Sequence, residues 1–240
     1  MKTFHHLIVE QIQESDLQQL KGHCFVFPTK RGGVFFKRAL LQKYGHHHFM
    51  LPTIFSIEDF VQRMTGLSIT DELTLLFHLF KIYQKRDQDL EFDAFYAWGK
   101  VILKDYDEID RYLANAKQIY SDLQNIKEID HVFGYNDEFR EIIARFRTLT
   151  EKQDKTKLLT EFLKIWKEVG AVYEDFQGEL LKEEKAYGGM LYRNLASVLS
   201  QDHFEHPFDY YHFCGFNALS KSEEVIFDAL VKAKRAQLYW

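Results

Sequence analysis

The residues that most clearly offer chemistry are six cations near the start of the chain. Between Asp16 and Glu58 the sequence has no acidic residue, so this window carries +6 while the whole chain carries −5. The cations are Lys21, Lys30, Arg31, Lys37, Arg38 and Lys43. Clustered Lys and Arg side chains neutralise phosphates, so the pattern is one that contact with nucleic acid would explain. A solvated basic helix that balances acidic neighbours has the same composition, and this second interpretation stays open.

Nucleotide hydrolysis would need a different set of residues. A Walker A loop places glycines before Lys and Ser or Thr, so that backbone amides and the Lys surround the phosphates. Gly99-Lys100 is followed by Val101, and Gly32-Gly33 lacks the Lys-Ser or Lys-Thr that should follow. Asp105-Tyr106-Asp107-Glu108 follows an apolar stretch, as in a Walker B motif, but the apolar positions continue at helical spacing. We therefore predict a helix whose acids face solvent.

Metal and nuclease chemistry have little support in the sequence. His46-His47-His48 are consecutive and cannot all converge on one ion from a regular element, so we predict a polar loop. Glu183 and Lys185 have the spacing of half a restriction-type nuclease site, which also needs an Asp on an adjacent strand to hold Mg²⁺; we predict a helix over 180–187 instead. Cys24 and Cys214 are expected to be small buried residues on strands. We predict no metal, no cofactor and no catalytic residue in this chain.

Short apolar strands and the helices that follow them position the cations. Strands are predicted over 23–27, 51–55 and 208–213 and from 237 onward, and a first helix begins at Phe4. Helices are predicted over 31–44, after Ser56 and after Ser220, where each Ser precedes an acid by three residues as in a capping box. Lys30 and Arg31 then follow the carboxyl end of a strand, where α/β sheets bind ligands. Thr29 and the amides of Gly32-Gly33 are expected to approach a phosphodiester there.

The middle of the chain has helical periodicity and no predicted strand. The predicted helical segments cover 73–83, 92–103, 109–123, 139–149, 158–176 and 191–199, with breaks at 129–136, 151–157 and 187–189. Strand–helix–strand patterns on both sides of such a block are typical of an α/β domain with an insertion. We predict a parallel sheet formed by 1–66 and 204–240, interrupted by an all-helical insertion over 67–203.

Composition bounds the class of protein. The chain has 240 residues, 46% of them hydrophobic, with two cysteines and no apolar run near the ~18 residues of a membrane span. Its first residues become polar too soon for a secretory signal. These features favour a globular cytoplasmic protein without a disulfide framework or a membrane helix. Because the chain stops within an apparent strand at Trp240, we expect it to be an N-terminal fragment of a longer protein.

Several stretches resemble, in order and spacing, the opening of AddB-type subunits of bacterial helicase-nucleases, particularly of the Bacteroidetes branch. The resemblance covers nearly all 240 residues. It is carried by Phe25-Val26-Phe27-Pro28-Thr29-Lys30-Arg31-Gly32-Gly33-Val34-Phe35-Phe36, Leu51-Pro52-Thr53-Ile54-Phe55-Ser56-Ile57-Glu58-Asp59-Phe60, Phe95-Tyr96-Ala97-Trp98-Gly99, Asp105-Tyr106-Asp107-Glu108-Ile109-Asp110 and Cys214-Gly215-Phe216-Asn217-Ala218-Leu219-Ser220-Lys221-Ser222-Glu223.

The resemblance implies a fold and a function. The fold would be the first RecA-like domain of a superfamily 1 helicase, a P-loop NTPase-like sheet without its P-loop, with a helical insertion. Thr29, Lys30 and Arg31 would occupy the place of the segment that contacts single-stranded DNA. The Walker B acids would fall at Cys214 and Gly215, neither of which can hold magnesium, so we expect no ATP hydrolysis. The family's nuclease domain, often with an iron–sulfur cluster, would lie downstream of this chain.

Taken together, these inferences predict an inactive helicase-like scaffold. It would guide single-stranded DNA, or hold double-stranded ends, during double-strand-break processing and recombinational repair, beside an AddA-like motor subunit. The predicted DNA-binding residues are Thr29, Lys30, Arg31, Lys37 and Arg38, which would set the register of the strand without reading bases. Two alternatives stay open: an interaction module that docks the AddA-like motor without binding DNA, and an active NTPase or nuclease with an unrecognised site.

Overall fold

The computed structural model describes residues 3–125, 155–201 and 204–240, and side chains outside 121–167 within those ranges. The predicted helix over 139–149 and the break at 129–136 lie outside the described residues. The described chain forms two compact units. The first, called the sheet unit, comprises 1–69, 110–113 and 188–240, and the second, called the helical unit, comprises 70–109 and 114–187.

The chain is an α/β protein. The helices are α1 (Phe4–Gln11), α2 (Lys30–Tyr44), α3 (Ile57–Thr65), α4 (Glu72–Gln84), α5 (Phe92–Arg111), α6 (Ala116–Asn125), α7 (Lys155–Lys182), α8 (Gly188–Leu199) and α9 (Lys221–Lys232). The strands are β1 (His23–Phe27), β2 (Thr53–Ser56), β3 (Ser68–Ile69), β4 (Lys185–Ala186), β5 (Tyr210–Cys214) and β6 (Ala236–Tyr239). The compact units place α8 with the sheet unit, whereas the predicted insertion over 67–203 included it.

A parallel sheet of four strands forms the centre of the sheet unit, in the order β2-β1-β5-β6. Phe25 aligns with Ile54 of β2 and with His212 of β5, and Phe213 of β5 aligns with Leu238 of β6. The prediction that the two ends of the chain contribute to one sheet is therefore confirmed. Because all four strands run in the same direction, their carboxyl ends lie at one edge, here called the carboxyl edge.

Apolar side chains on both faces of the sheet hold the helices in place. On one face Phe25 and Phe27 pack with Phe36 of α2, their rings 4.5 and 5.4 Å from it. On the other, Phe213 stacks on Phe227 of α9 at 3.9 Å and meets Phe60 of α3 edge to face at 5.6 Å. This two-sided burial explains why β1 is a continuous apolar run rather than an alternating one.

Three helices begin at or near the carboxyl edge, and a capping side chain fixes each start. Thr29, Ser56 and Ser220 accept hydrogen bonds from the backbone N–H three residues later, at the starts of α2, α3 and α9. At Ser220 the reciprocal bond from its own N–H to the Glu223 carboxylate completes the predicted capping box. These caps satisfy otherwise unpaired N–H groups and fix the residue at which each helix begins.

Long helices form the helical unit. The Tyr106 hydroxyl of α5 donates to the carbonyl of Val169 in α7 at 2.7 Å, and its ring lies 5.0 Å from that of Tyr173. Arg86, in the turn after α4, pairs with Asp175 of α7 at 2.7 Å. Among the helices of the described residues, none has the length and apolarity needed to cross a membrane.

Several predicted boundaries were wrong. Separate helices were expected over 92–103 and 109–123, but α5 continues to Arg111, and α6 begins at Ala116 after a turn with Leu113 at φ 53°. The helix predicted over 180–187 ends at Lys182 and is followed by β4, so the 70–199 segment does contain a short strand. In both places a turn that follows a helix lacks the Gly or Pro by which a turn is normally recognised.

Candidate nucleic-acid interface

The loop after β1 brings Thr29 and Lys30 to the carboxyl edge. Thr29 is exposed, and its hydroxyl accepts the Gly32 N–H at 3.4 Å. Lys30 is the first residue of α2, and its ammonium lies 3.0 Å from the carboxylate of Asp59 in α3, which follows β2. The Ser56 hydroxyl donates to the same carboxylate at 2.7 Å. The hydrogen bond from Ser56, and secondly Lys30, hold the pKa of Asp59 below its usual value.

Arg31 and Phe35 form a pair on the first turns of α2. They are four residues apart, so the helix places them on the same face, and the Arg31 guanidinium lies 5.7 Å from the centre of the Phe35 ring. Both side chains are exposed. Arg31 is therefore held by an aromatic ring and keeps its charge at the surface.

Lys37 and Arg38 continue the basic face along the exposed side of α2. No carboxylate among the described side chains forms an ion pair with either of them. Lys43 differs, because its ammonium donates to the carbonyl oxygens of Val9 and Ile12 at 3.1 and 3.4 Å. Lys43 therefore caps the end of α1, while Arg31, Lys37 and Arg38 point their charges outward; these three define the α2 basic face.

Gly32 and Gly33 have a packing role. A Cβ atom on Gly33 would lie 2.6 Å from Ile54 of β2, and one on Gly32 would lie 3.1 Å from the Phe27 side chain. The Gly32 N–H is already bonded to Thr29. The expectation that these amides approach a phosphodiester is thus unsupported for Gly32, and the two glycines allow the close approach of α2 to the sheet.

The predicted Walker B position contains no acid. Cys214 is fully buried at the end of β5, and burial raises the pKa of its thiol. Gly215 follows at φ +75°, where a Cβ atom would lie 3.1 Å from the Phe4 ring. Within residues 3–125, 155–201 and 204–240, no three His, Cys, Asp or Glu side chains converge as a metal site would require.

The acidic side chains of α5 differ in their exposure to solvent. Glu108 is exposed, as expected, but Asp110 is fully buried and forms an ion pair with Arg193 of α8 at 2.5 Å. Asp105 is half-buried, and desolvation, then the charge of Glu108, raise its pKa to about 6. The prediction that the acids of 105–108 face solvent is therefore confirmed for Glu108 and wrong for the half-buried Asp105, while Asp110, which lies outside that set, is buried against Arg193.

Two other sequence candidates have structural roles. Glu183 pairs with Lys185 at 2.6 Å and lies 3.6 Å from His78, so this nuclease-like pair forms a surface ion cluster. The three consecutive histidines lie in the turn after α2, as predicted, and the His48 carbonyl accepts a hydrogen bond from Gln18 at 2.9 Å.

Sequence reasoning missed two residues at this interface. Asp59 was read only as part of a helix start, although pairing of β1 with β2 brings it to Lys30. Phe35 lies within the helix predicted over 31–44 and was given no binding role, although its spacing of four from Arg31 was a usable signal. Comparison with models of protein families gives no match for this chain, and comparison with curated proteins gives none either.

Proposed function

We propose that this chain is a catalytically inactive, helicase-like scaffold of an AddB-like subunit that guides single-stranded DNA during double-strand-break processing. The observation that carries the proposal is the α2 basic face. Arg31, Lys37 and Arg38 are exposed on one helix, in a segment without acids from Leu17 to Ile57. A phosphate backbone is the ligand that such a face attracts most strongly.

The dimensions of the face fit a strand that follows the helix. Arg31 and Arg38 are seven residues apart, which corresponds to about 10 Å along the helix axis at 1.5 Å per residue. The face begins at the carboxyl edge, where parallel α/β sheets bind their ligands. Contacts of this kind fix the position of a strand without reading its sequence, as expected for a protein that must move along any DNA.

The finer fold assignment belongs to the same proposal. A RecA-like sheet interrupted by an insertion accounts for a parallel sheet assembled from the two ends of the chain, with a helical unit between them in sequence. Cys214 and Gly215 at the Walker B position support a scaffold role rather than ATP hydrolysis. In this proposal an AddA-like subunit supplies the motor, and the repair of DNA ends is the process served.

A second candidate function rests on a different observation. Val34 and Leu41 lie exposed beside Lys37 and Arg38 on α2, and the exposed fraction of Val34 is 65%. Apolar side chains among cations also suit a protein partner, and the chain would then be an interaction module for the motor subunit. Binding of the motor subunit by a chain that has no affinity for DNA would favour this candidate.

Fluorescence anisotropy with a labelled single-stranded oligonucleotide tests the proposal. We expect Lys37→Ala/Arg38→Ala to weaken binding by roughly tenfold or more, because two phosphate contacts are lost. The matched control is Lys221→Ala/Lys232→Ala on α9, which removes the same charge from side chains that pair with Glu224 and Asp228. Equal affinities for the two double variants would refute the assignment of the α2 basic face.

A further inference from the structure

Phe35 is an aromatic side chain in an unusual position. Its exposed fraction is 44%, whereas the adjacent Phe36 is fully buried against the sheet. An exposed aromatic ring loses the free energy that burial of its apolar surface would give. Here the ring lies within the only acid-free segment of this length in the sequence, directly beside Arg31.

The surroundings of Phe35 hold the ring at the carboxyl edge. The His5 ring of α1 lies 5.9 Å from Phe35 and 5.8 Å from Phe27, the last residue of β1. Side chains on a helix lean toward its N-terminus, so the Phe35 ring leans over the first turn of α2. Burial, and secondly the neighbouring His6, lower the pKa of His5.

The Arg31 guanidinium and the Phe35 ring need to move apart only slightly for a planar group to enter between them. The guanidinium lies 5.7 Å from the ring centre. Two planar groups that enclose a base are roughly 7 Å apart, which is twice the 3.4 Å rise between stacked bases. Arg31 is exposed and its long side chain can shift by about 1 Å without disturbing the core.

We propose that Phe35 and Arg31 form a stacking site for a nucleobase of a single strand whose phosphates contact the α2 basic face. This inference rests on the proposed function and deepens it, because it makes the ligand a base-bearing strand rather than any polyanion. Every base has a flat apolar face, so the site selects single strands over duplex without selecting a sequence. Duplex DNA keeps its bases stacked inside and offers no free face to Phe35.

A comparison within the chain supplies the control. Phe77 of α4 has the same exposed fraction, 44%, but its ring is already stacked on Phe92 at 4.4 Å with an angle of 10° between the planes. Phe77 therefore packs against another aromatic ring, whereas Phe35 lies beside the exposed cation of Arg31. Phe77→Leu and Phe35→Leu remove equally exposed rings by the same substitution.

The experiment compares two oligonucleotides of equal length and charge, oligo-dT and the corresponding strand of abasic sites, with wild type, Phe35→Leu, Phe35→Trp and Phe77→Leu. We expect the wild type to bind oligo-dT roughly tenfold more tightly than the abasic strand, the range expected for one stacked base. Phe35→Leu should bind both strands equally, and Phe35→Trp should restore the preference for bases. Phe77→Leu should behave as wild type.

The outcomes separate this inference from the proposal on which it rests. If Phe35→Leu keeps the preference for oligo-dT, the stacking site is refuted, while binding that depends on Lys37 and Arg38 leaves the proposed function intact. If the wild type binds both strands equally, stacking is refuted in the same way. If the wild type binds neither strand, the proposed function and the stacking site are both refuted.

Discussion

Replacement of Asp110 by Ala removes the carboxylate that pairs with Arg193 inside the sheet unit. Asp110 has no exposed surface, and the Arg193 side chain is 30% exposed. Removing one partner of a buried ion pair costs about 3–5 kcal/mol, because the remaining charge loses its compensation. Arg193 regains some hydration through its exposed part, so we expect a loss near the lower limit, about 3 kcal/mol in the free energy of unfolding. For a chain of this size that corresponds to a Tm lower by roughly 6–12 °C.

Urea unfolding followed by circular dichroism measures this loss. The control is Glu108→Gln, which lies two residues away on α5, is exposed, and faces Lys104 at a distance of 3.9 Å. An exposed pair of this kind contributes about 0.3–0.5 kcal/mol, so the control should unfold nearly as the wild type does. The double variant Asp110→Ala/Arg193→Met should lose less than the sum of the single variants, since neither charge is then left alone. A loss for Asp110→Ala as small as that of the control would refute the reasoning.

Two further predictions concern pH. His212 is buried between His23 and Tyr239, with ring nitrogens 3.0 Å from the His23 ring and 3.1 Å from the Tyr239 hydroxyl, and burial, then His23, lower its pKa to about 3. Because the unfolded state binds that proton more readily, the free energy of unfolding should reach its full value above pH 6.5 and fall by about 3 kcal/mol by pH 4.5. Urea midpoints measured across this pH range should change less for His212→Phe than for the wild type. Parallel curves for the two proteins would contradict this prediction. Asp105 has a pKa raised to about 6, so the folded state binds its proton more tightly and stability should decline as pH rises from 4 to 6. Asp105→Asn should therefore raise the free energy of unfolding at pH 8 by up to about 3 kcal/mol and give no gain at pH 4; an equal gain at both pH values would contradict it.

The sheet and the helix starts could be predicted because their determinants are local. The apolar run at 23–27 predicted β1 as observed, and Ser220 with Glu223 predicted the start of α9 through a capping box that the structure contains. Both signals lie within a few residues of the feature they specify. The helix predicted over 31–44 after a strand was found as α2 (Lys30–Tyr44) for the same reason.

The partners of charged residues could not be predicted because they come from distant parts of the chain. Arg193 is 83 residues from Asp110, and no local pattern shows that this carboxylate is buried. Lys43 was counted in the basic window of the sequence, but its ammonium bonds the end of α1, 31–34 residues earlier. The amides of Gly32 and Gly33 were expected to approach a phosphodiester, whereas close packing against Phe27 and Ile54 explains these glycines. Each of these roles depends on tertiary contacts rather than on spacing along the sequence.

The salt dependence of single-strand binding tests the central claim most directly. Each phosphate contact by Lys or Arg on a single strand contributes about −0.7 to the slope of log K against log salt concentration. Arg31, Lys37 and Arg38 should each contact a phosphate, and Lys30 should contribute less because it pairs with Asp59. We therefore predict a slope of roughly −2 to −3 for the wild type. The slope for Lys37→Ala/Arg38→Ala should be smaller in magnitude by about 1.4. A wild-type slope near zero, or a slope that the double variant leaves unchanged, would contradict the account.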